Sequence, residues 1–170
     1  MIWWFGLMTF TLVWVCQMLM VYFIPAGYPS INLPLIMVVY LGITGQVGLA
    51  QTLGFFWGLG SDAAGLSLFG TQGFFLSLLG YLVGLLSKKI DSEKTVSQVT
   101  MVIGATIFCG LGCWFFQKVF DQAEVLRPWS LGVVLFQGFF NVLLAPLVFR
   151  MSSFWVKMWI QFCGRRGFLD

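Results

Sequence analysis

The 170-residue chain is 59% apolar and only 9% charged, carries a net charge of +3 and contains no histidine. An ordinary soluble domain is about 25% charged, so no soluble fold of this length hides so much apolar surface, and the basic residues, sitting in short segments beside apolar runs, point to topology and anionic lipid rather than nucleic acid. A transmembrane barrel is excluded as well, because barrel strands alternate polar and apolar residues, whereas the runs here are apolar all round and leave helices as the spanning structure that satisfies its own backbone.

A hydrocarbon core takes about 20 helical residues per crossing, so the chain has room for roughly six spans with short connections. The start, Met1-Ile2-Trp3-Trp4-Phe5, has no basic segment, and no small-residue cleavage site follows the run to Phe23. It reads as a first span over 3–23 rather than a cleaved signal peptide. Pro25, Gly27 and Pro29 stop it. Apolar character resumes at Leu33, and the stretch Gly42 to Gly48 divides it into two short helices over 33–43 and 49–60 joined by a tight glycine-rich turn. Ser61 to Leu66 breaks the pattern, and a fourth span over 67–86 meets Lys88-Lys89. Beyond Asp91 to Lys94, a fifth span is expected over 96–119. The loop 121–128 precedes a sixth over 130–149. In the tail 151–170, Trp155, Trp159 and Phe162 lie among Lys157, Arg165 and Arg166, a mixture that suits an interfacial helix. The expected architecture is a single all-α transmembrane domain. With both termini inside, the inner segments hold Lys88, Lys89, Lys94, Arg150, Lys157, Arg165 and Arg166, while Lys118 and Arg127 fall outside, an asymmetry that fixes this orientation.

Span four places Gly73, Ser77, Gly80, Gly84 and Ser87 at spacings of four and three, on one helix face. In lipid there is little hydrophobic drive between helices, so small residues that let backbones approach mark a packing seam. We read the neighbour as another helix of the same chain, with a partner subunit as the alternative. Shorter versions recur at Gly54, Gly58 and Ser61, and at Ala105, Cys109 and Gly112.

Asp62 is flanked by apolar sequence on both sides. The short third span rises only about 20 Å, which leaves Asp62 below the outer surface. A carboxylate there is either functional or a cap for the backbone N–H groups of the turn 63–66; the cap is the reading taken. Gln137 and Asn141, one turn apart in span six, and Gln17 in span one are expected to bond across helices. Cys16, Cys109, Cys113 and Cys163 form no disulfide framework. Cys109 and Cys113, one turn apart, lack a third soft ligand, so no metal is expected. With no nucleophile and base pair, no phosphate loop and no cofactor motif, an enzyme is poorly supplied.

Gly54-Phe55-Phe56-Trp57-Gly58-Leu59-Gly60-Ser61-Asp62, followed by Gly65, Leu68, Gly70 and then Gly80-Tyr81-Leu82-Val83-Gly84, resembles the bacterial rod shape-determining protein MreD family. The likeness continues at Leu126-Arg127-Pro128 and from Asn141 to Pro146, and departs at Ile31-Asn32, where the family often has Arg-Pro. The resemblance implies six helices arranged like the substrate-binding subunit of energy-coupling-factor vitamin transporters, in the bacterial inner membrane. It further implies a non-catalytic scaffold of the wall-elongation complex that binds MreC, beside RodA and its transpeptidase partner and the MreB filament, and helps regulate peptidoglycan synthesis. The shared fold supplies a rival, a vitamin-binding transporter subunit, since fold does not settle function. Such subunits resemble one another in an Ala-x-x-x-Ala face on the first span, and 3–23 contains no alanine.

Overall fold

The computed structural model describes residues 2–23, 31–64, 69–88, 95–120 and 131–163, and the regular structure among them is all helical. The helices are α1 (Ile2–Phe23), α2 (Leu33–Ile43), α3 (Val47–Ala63), α4 (Thr71–Ser87), α5 (Thr95–Val119) and α6 (Leu131–Cys163). Two of them, over Thr95–Phe116 and Leu135–Trp155, are long and apolar enough to cross a membrane. Only 39% and 17% of those windows is buried within the chain.

The centre is α2. Its sequence, Leu-Pro-Leu-Ile-Met-Val-Val-Tyr-Leu-Gly-Ile, has no polar face, and every residue from Pro34 to Gly42 is buried. A helix apolar all round belongs inside, and α2 touches each of the other five. Its C-terminus closes in a Schellman turn: the Gly45 N–H bonds the Gly42 carbonyl at 3.2 Å and the Gln46 N–H bonds the Leu41 carbonyl at 3.0 Å. Gly45 sits at φ +81°, with open space where a Cβ would stand, so glycine is required there by conformation alone.

Antiparallel to one another, α3 and α4 form the most extensive helix pair in the molecule. Phe75 of α4 lays its ring in a notch of α5 made by Gly112, with Phe108 and Phe116 edge-on at 5.8 and 5.5 Å. Helix α1 docks through aromatics: Phe10 stacks on Trp57 at 5.9 Å, and the fully buried Trp57 donates its indole N–H to the Phe10 carbonyl at 3.2 Å. Helix α6 meets α2 through Tyr40 and Phe149, whose rings lie 5.5 Å apart.

Three helices differ by more than one residue from the bounds read in the sequence: α3 runs Val47–Ala63 instead of 49–60, so Ser61, Asp62 and Ala63 continue the helix in place of the break read there. Helix α4 begins at Thr71 instead of 67, because Gly70 adopts φ +90° and breaks the chain direction just before it. Helix α6 runs through Phe149 to Cys163, so the expected interfacial tail continues the sixth helix. No glycine or further proline lies between Met151 and Cys163 to stop it. Arg127 and the loop 121–128 lie outside the described residues, as do Lys89, Lys94, Arg165 and Arg166.

Candidate functional site

The small-residue positions of α3 and α4 gather on one seam inside the chain. A Cβ at Gly58 would collide with the backbone N and Cα of Gly73. One at Gly54 would lie 2.9 Å from the Leu76 carbonyl oxygen, and one at Gly80 would lie 2.9 Å from the Ala50 carbonyl carbon. Toward the far end, a Cβ at Gly84 would press on Val47 Cγ2 at 2.5 Å. Glycine on both sides is what lets α3 and α4 run backbone against backbone. Gly42 of α2 enters the same contact, where an added Cβ would meet Val83 Cγ1 at 2.8 Å. Ser77 is half-buried on α4. Ser87 closes that end, donating to the Gly84 carbonyl at 3.0 Å and the Gly42 carbonyl at 3.3 Å.

Asp62 occupies the opposite end of the seam, in the last turn of α3 and 4% exposed. It accepts from the N–H of Gln72, at 3.1 Å to Oδ2 and 3.3 Å to Oδ1, and from the N–H of Gly73 at 3.4 Å. These are the second and third residues of α4, the donors an N-cap side chain normally satisfies. The N-cap of α4 is Gly70, which has no side chain to do so. Asp62 therefore caps α4 from across the seam, with its negative charge at the positive end of that helix dipole. Among the described residues its bonds run to α4, while residues 65–68, which hold half of the turn 63–66 read from the sequence, lie outside the described residues. Because Asp62 is itself helical, its carboxylate projects sideways off α3 toward the packed neighbour instead of folding over its own C-terminus.

A second cluster of polar groups surrounds the N-terminus of α2. The Asn32 N–H is bonded by Asn141 Oδ1 of α6 at 3.1 Å, and the Leu33 N–H by Gln17 Oε1 of α1 at 3.0 Å. Pro34 has no N–H to satisfy, and the Leu35 N–H is bonded by Asn32 Oδ1 at 3.0 Å. Every orphan donor of the first turn is accounted for. Asn141, fully buried, also donates through Nδ2 to Thr106 Oγ1 of α5 at 3.2 Å, so the start of α2 is tied to three other helices. Gln137 is buried one turn before Asn141. Between the two clusters lies a cavity of about 10 Å³, lined by Asn32, Gln72, Phe75, Leu76, Cys109 and Cys113. That is room for about one water molecule.

Among the described residues no group of three or more histidine, cysteine or acidic side chains is placed to hold a metal ion. Comparison with known protein families, with curated proteins and with solved structures finds no match. The likeness to MreD accordingly rests on the motifs alone.

The sequence reading passed over Asn32 and Thr106. Asn32 carried a usable signal, an N-cap residue followed by an apolar run with proline inside the first turn. Thr106 carried none, since a threonine in an apolar helix commonly bonds its own preceding turn, as this one does to the Val102 carbonyl.

Proposed function

We propose that the chain is a six-span protein of the bacterial inner membrane with both termini inside, and that it serves as a non-catalytic scaffold of the rod-shape and wall-elongation complex, binding MreC. The observation that carries the reading is how the motif residues are used. Gly54, Gly58, Asp62, Gly80 and Gly84 lie on the α3–α4 seam and are occupied with backbone approach and capping, so the residues of the likeness build a frame. The buried Gln17, Thr106 and Asn141 are likewise bonded within the chain, whereas large apolar side chains such as Leu12, Phe56, Leu111, Leu143 and Leu147 face outward. That is the surface a membrane scaffold offers to lipid and to neighbouring helices.

Helix α2, at about 16 Å, covers half of a 30 Å core, and its N-terminus then lies near mid-depth, where water is absent and amides from α1 and α6 must replace it. The rival reading, a vitamin-binding subunit, needs a pocket of several hundred Å³. Among the described residues the polar cavity is far smaller.

Co-purification from native membrane followed by mass spectrometry tests the scaffold role. Recovery of MreC with the tagged chain supports it, and recovery of an ATPase with its energising membrane subunit in place of MreC overturns it. Orientation is tested in a cysteine-free background. A membrane-impermeant thiol reagent added outside should modify a cysteine placed at Gln122 and spare one at Ser92; the reverse pattern removes the six-span arrangement.

A further inference from the structure

The cavity between the two capping clusters is placed where hydrogen bonding is incomplete. Gln72 is 93% buried, at 7% exposure, and lines the cavity. Its backbone N–H is bonded to Asp62, but among the described residues its side-chain amide makes no hydrogen bond. Asn32 lines the same cavity, and while its Oδ1 caps Leu35, its Nδ2 makes no hydrogen bond among the described residues. A buried amide without a partner is costly, so the buried Gln72 amide and the half-buried Asn32 amide beside one space of this size call for an occupant that both donates and accepts. The thiols of Cys109 and Cys113 complete the lining as weak donors.

We propose that this cavity is a binding site for one structural water molecule, held between the Gln72 amide and Asn32 Nδ2, with a third contact to a thiol of α5. The volume admits one water. The number of polar partners falls in the range of about two to four that buried waters use. The water links the Asp62 cap of α4 to the Asn32 cap of α2, joining two separate networks into one that reaches α1, α3, α5 and α6. The inference stands on this geometry whether or not the scaffold reading holds.

X-ray radiolytic labelling of the purified full-length chain in lipid nanodiscs tests it, because a bound water becomes a hydroxyl radical beside the residues it touches. Cys109 and Cys113 are buried, and Met101 is buried on the same helix but does not line the cavity, so Met101 serves as the dry reference. The expected result is prompt oxidation of Cys109 or Cys113 with little at Met101, and its loss in Gln72→Met while exposed Cys16 is labelled as before. Gln72→Met should also lower the melting temperature, since it removes a satisfied amide. Two cysteines as unreactive as Met101, or a Gln72→Met protein that melts higher than the parent, would show a dry cavity and overturn the proposal. Reaction of Cys109 or Cys113 with N-ethylmaleimide in the folded protein would also overturn it, by revealing an opening much wider than one water.

Discussion

The pair α3–α4 and the pair α5–α6 are assembled on different principles. In α3–α4 the contact is between backbones: glycine faces glycine at Gly58 and Gly73, and a carboxylate of one helix caps the other. The helices α5 and α6 are longer, and contact one another and the core through side chains, while a row of α6, Leu135, Phe139, Leu143, Leu147, Met151 and Phe154, stays exposed. A backbone seam has no flexible part to absorb added volume, so its geometry is fixed. A side-chain surface can be repacked and leaves its outer face free for lipid or a partner. The fold is therefore vested in the first pair, and any exchangeable contact in the second.

The sharpest way to break that contrast is to add volume to the seam. Gly58→Leu should abolish folded protein, and Gly58→Ala should fall at the upper end of the about 1 to 3 kcal/mol that overpacked sites cost. Gly80→Ala, against the Ala50 backbone, should come next, and Gly84→Ala should be milder because Val47 can turn its side chain aside. Gly104 of α5 has open space where its Cβ would stand, so Gly104→Ala should stabilise its helix by about 0.5 to 1 kcal/mol. Thermal melting of detergent-solubilised protein, read by size-exclusion fluorescence, ranks the four. A rank order with Gly104→Ala as harmful as Gly58→Ala would remove the distinction between the pairs.

Asp62 probes the seam's electrostatic end. Asp62→Leu strands two buried N–H donors and should cost about 1 to 3 kcal/mol. Asp62→Asn keeps an acceptor oxygen and gives up chiefly the charge at the α4 N-terminus, worth about 0.3 to 1 kcal/mol. Melting temperatures together with cell-shape complementation tell a cap from a functional charge. If Asn leaves the protein stable yet abolishes rod shape, the carboxylate has a duty beyond capping.

The amides around α2 should give an intermediate effect. Asn141→Leu leaves the Asn32 N–H without its acceptor and Thr106 without its donor, a loss of about 1 to 3 kcal/mol partly offset by the added apolar contact. A melting temperature equal to the parent's would mean that solvent reaches the start of α2, against the mid-depth position proposed for it.

How much of this was legible beforehand depends on range. The helical class followed from composition, and α2 followed from the return of apolar sequence at Leu33 and the glycine-rich stretch after Gly42, because such signals act on their own turns. The small-residue face of α4 was visible from spacing, yet what it faces is a long-range fact. Gly54 and Gly58 belong to the same seam as Gly73 and Gly80 only because α4 runs antiparallel to α3, and nothing in either helix encodes that. Asp62 shows the limit most plainly. Its role as an acceptor of backbone N–H was readable from residue type, but its partners ten and eleven residues on depended on the missing side chain at Gly70 and on the helix crossing at Gly58.

The smallest effect on the fold is expected on the outer row of α6. Leu143 and Leu147 are 63% and 56% exposed, so Leu143→Ala and Leu147→Ala remove little contact within the chain. Each should change stability by no more than about 0.5 kcal/mol, as surface substitutions do. In a membrane the same residues are where a neighbouring helix would seat, and shortening them would withdraw dispersion contacts from that neighbour without disturbing the hub. The double variant should keep normal abundance and melting temperature while lowering the amount of MreC recovered with it. A matched double variant on the outer row of α1, Leu12→Ala with Leu19→Ala, separates loss at one docking face from a general loss of lipid contact. Reduced abundance of the α6 variant would place those leucines in the fold itself and erase the difference between the two helix pairs. Unchanged abundance with unchanged MreC recovery would keep that difference and move the docking face off α6.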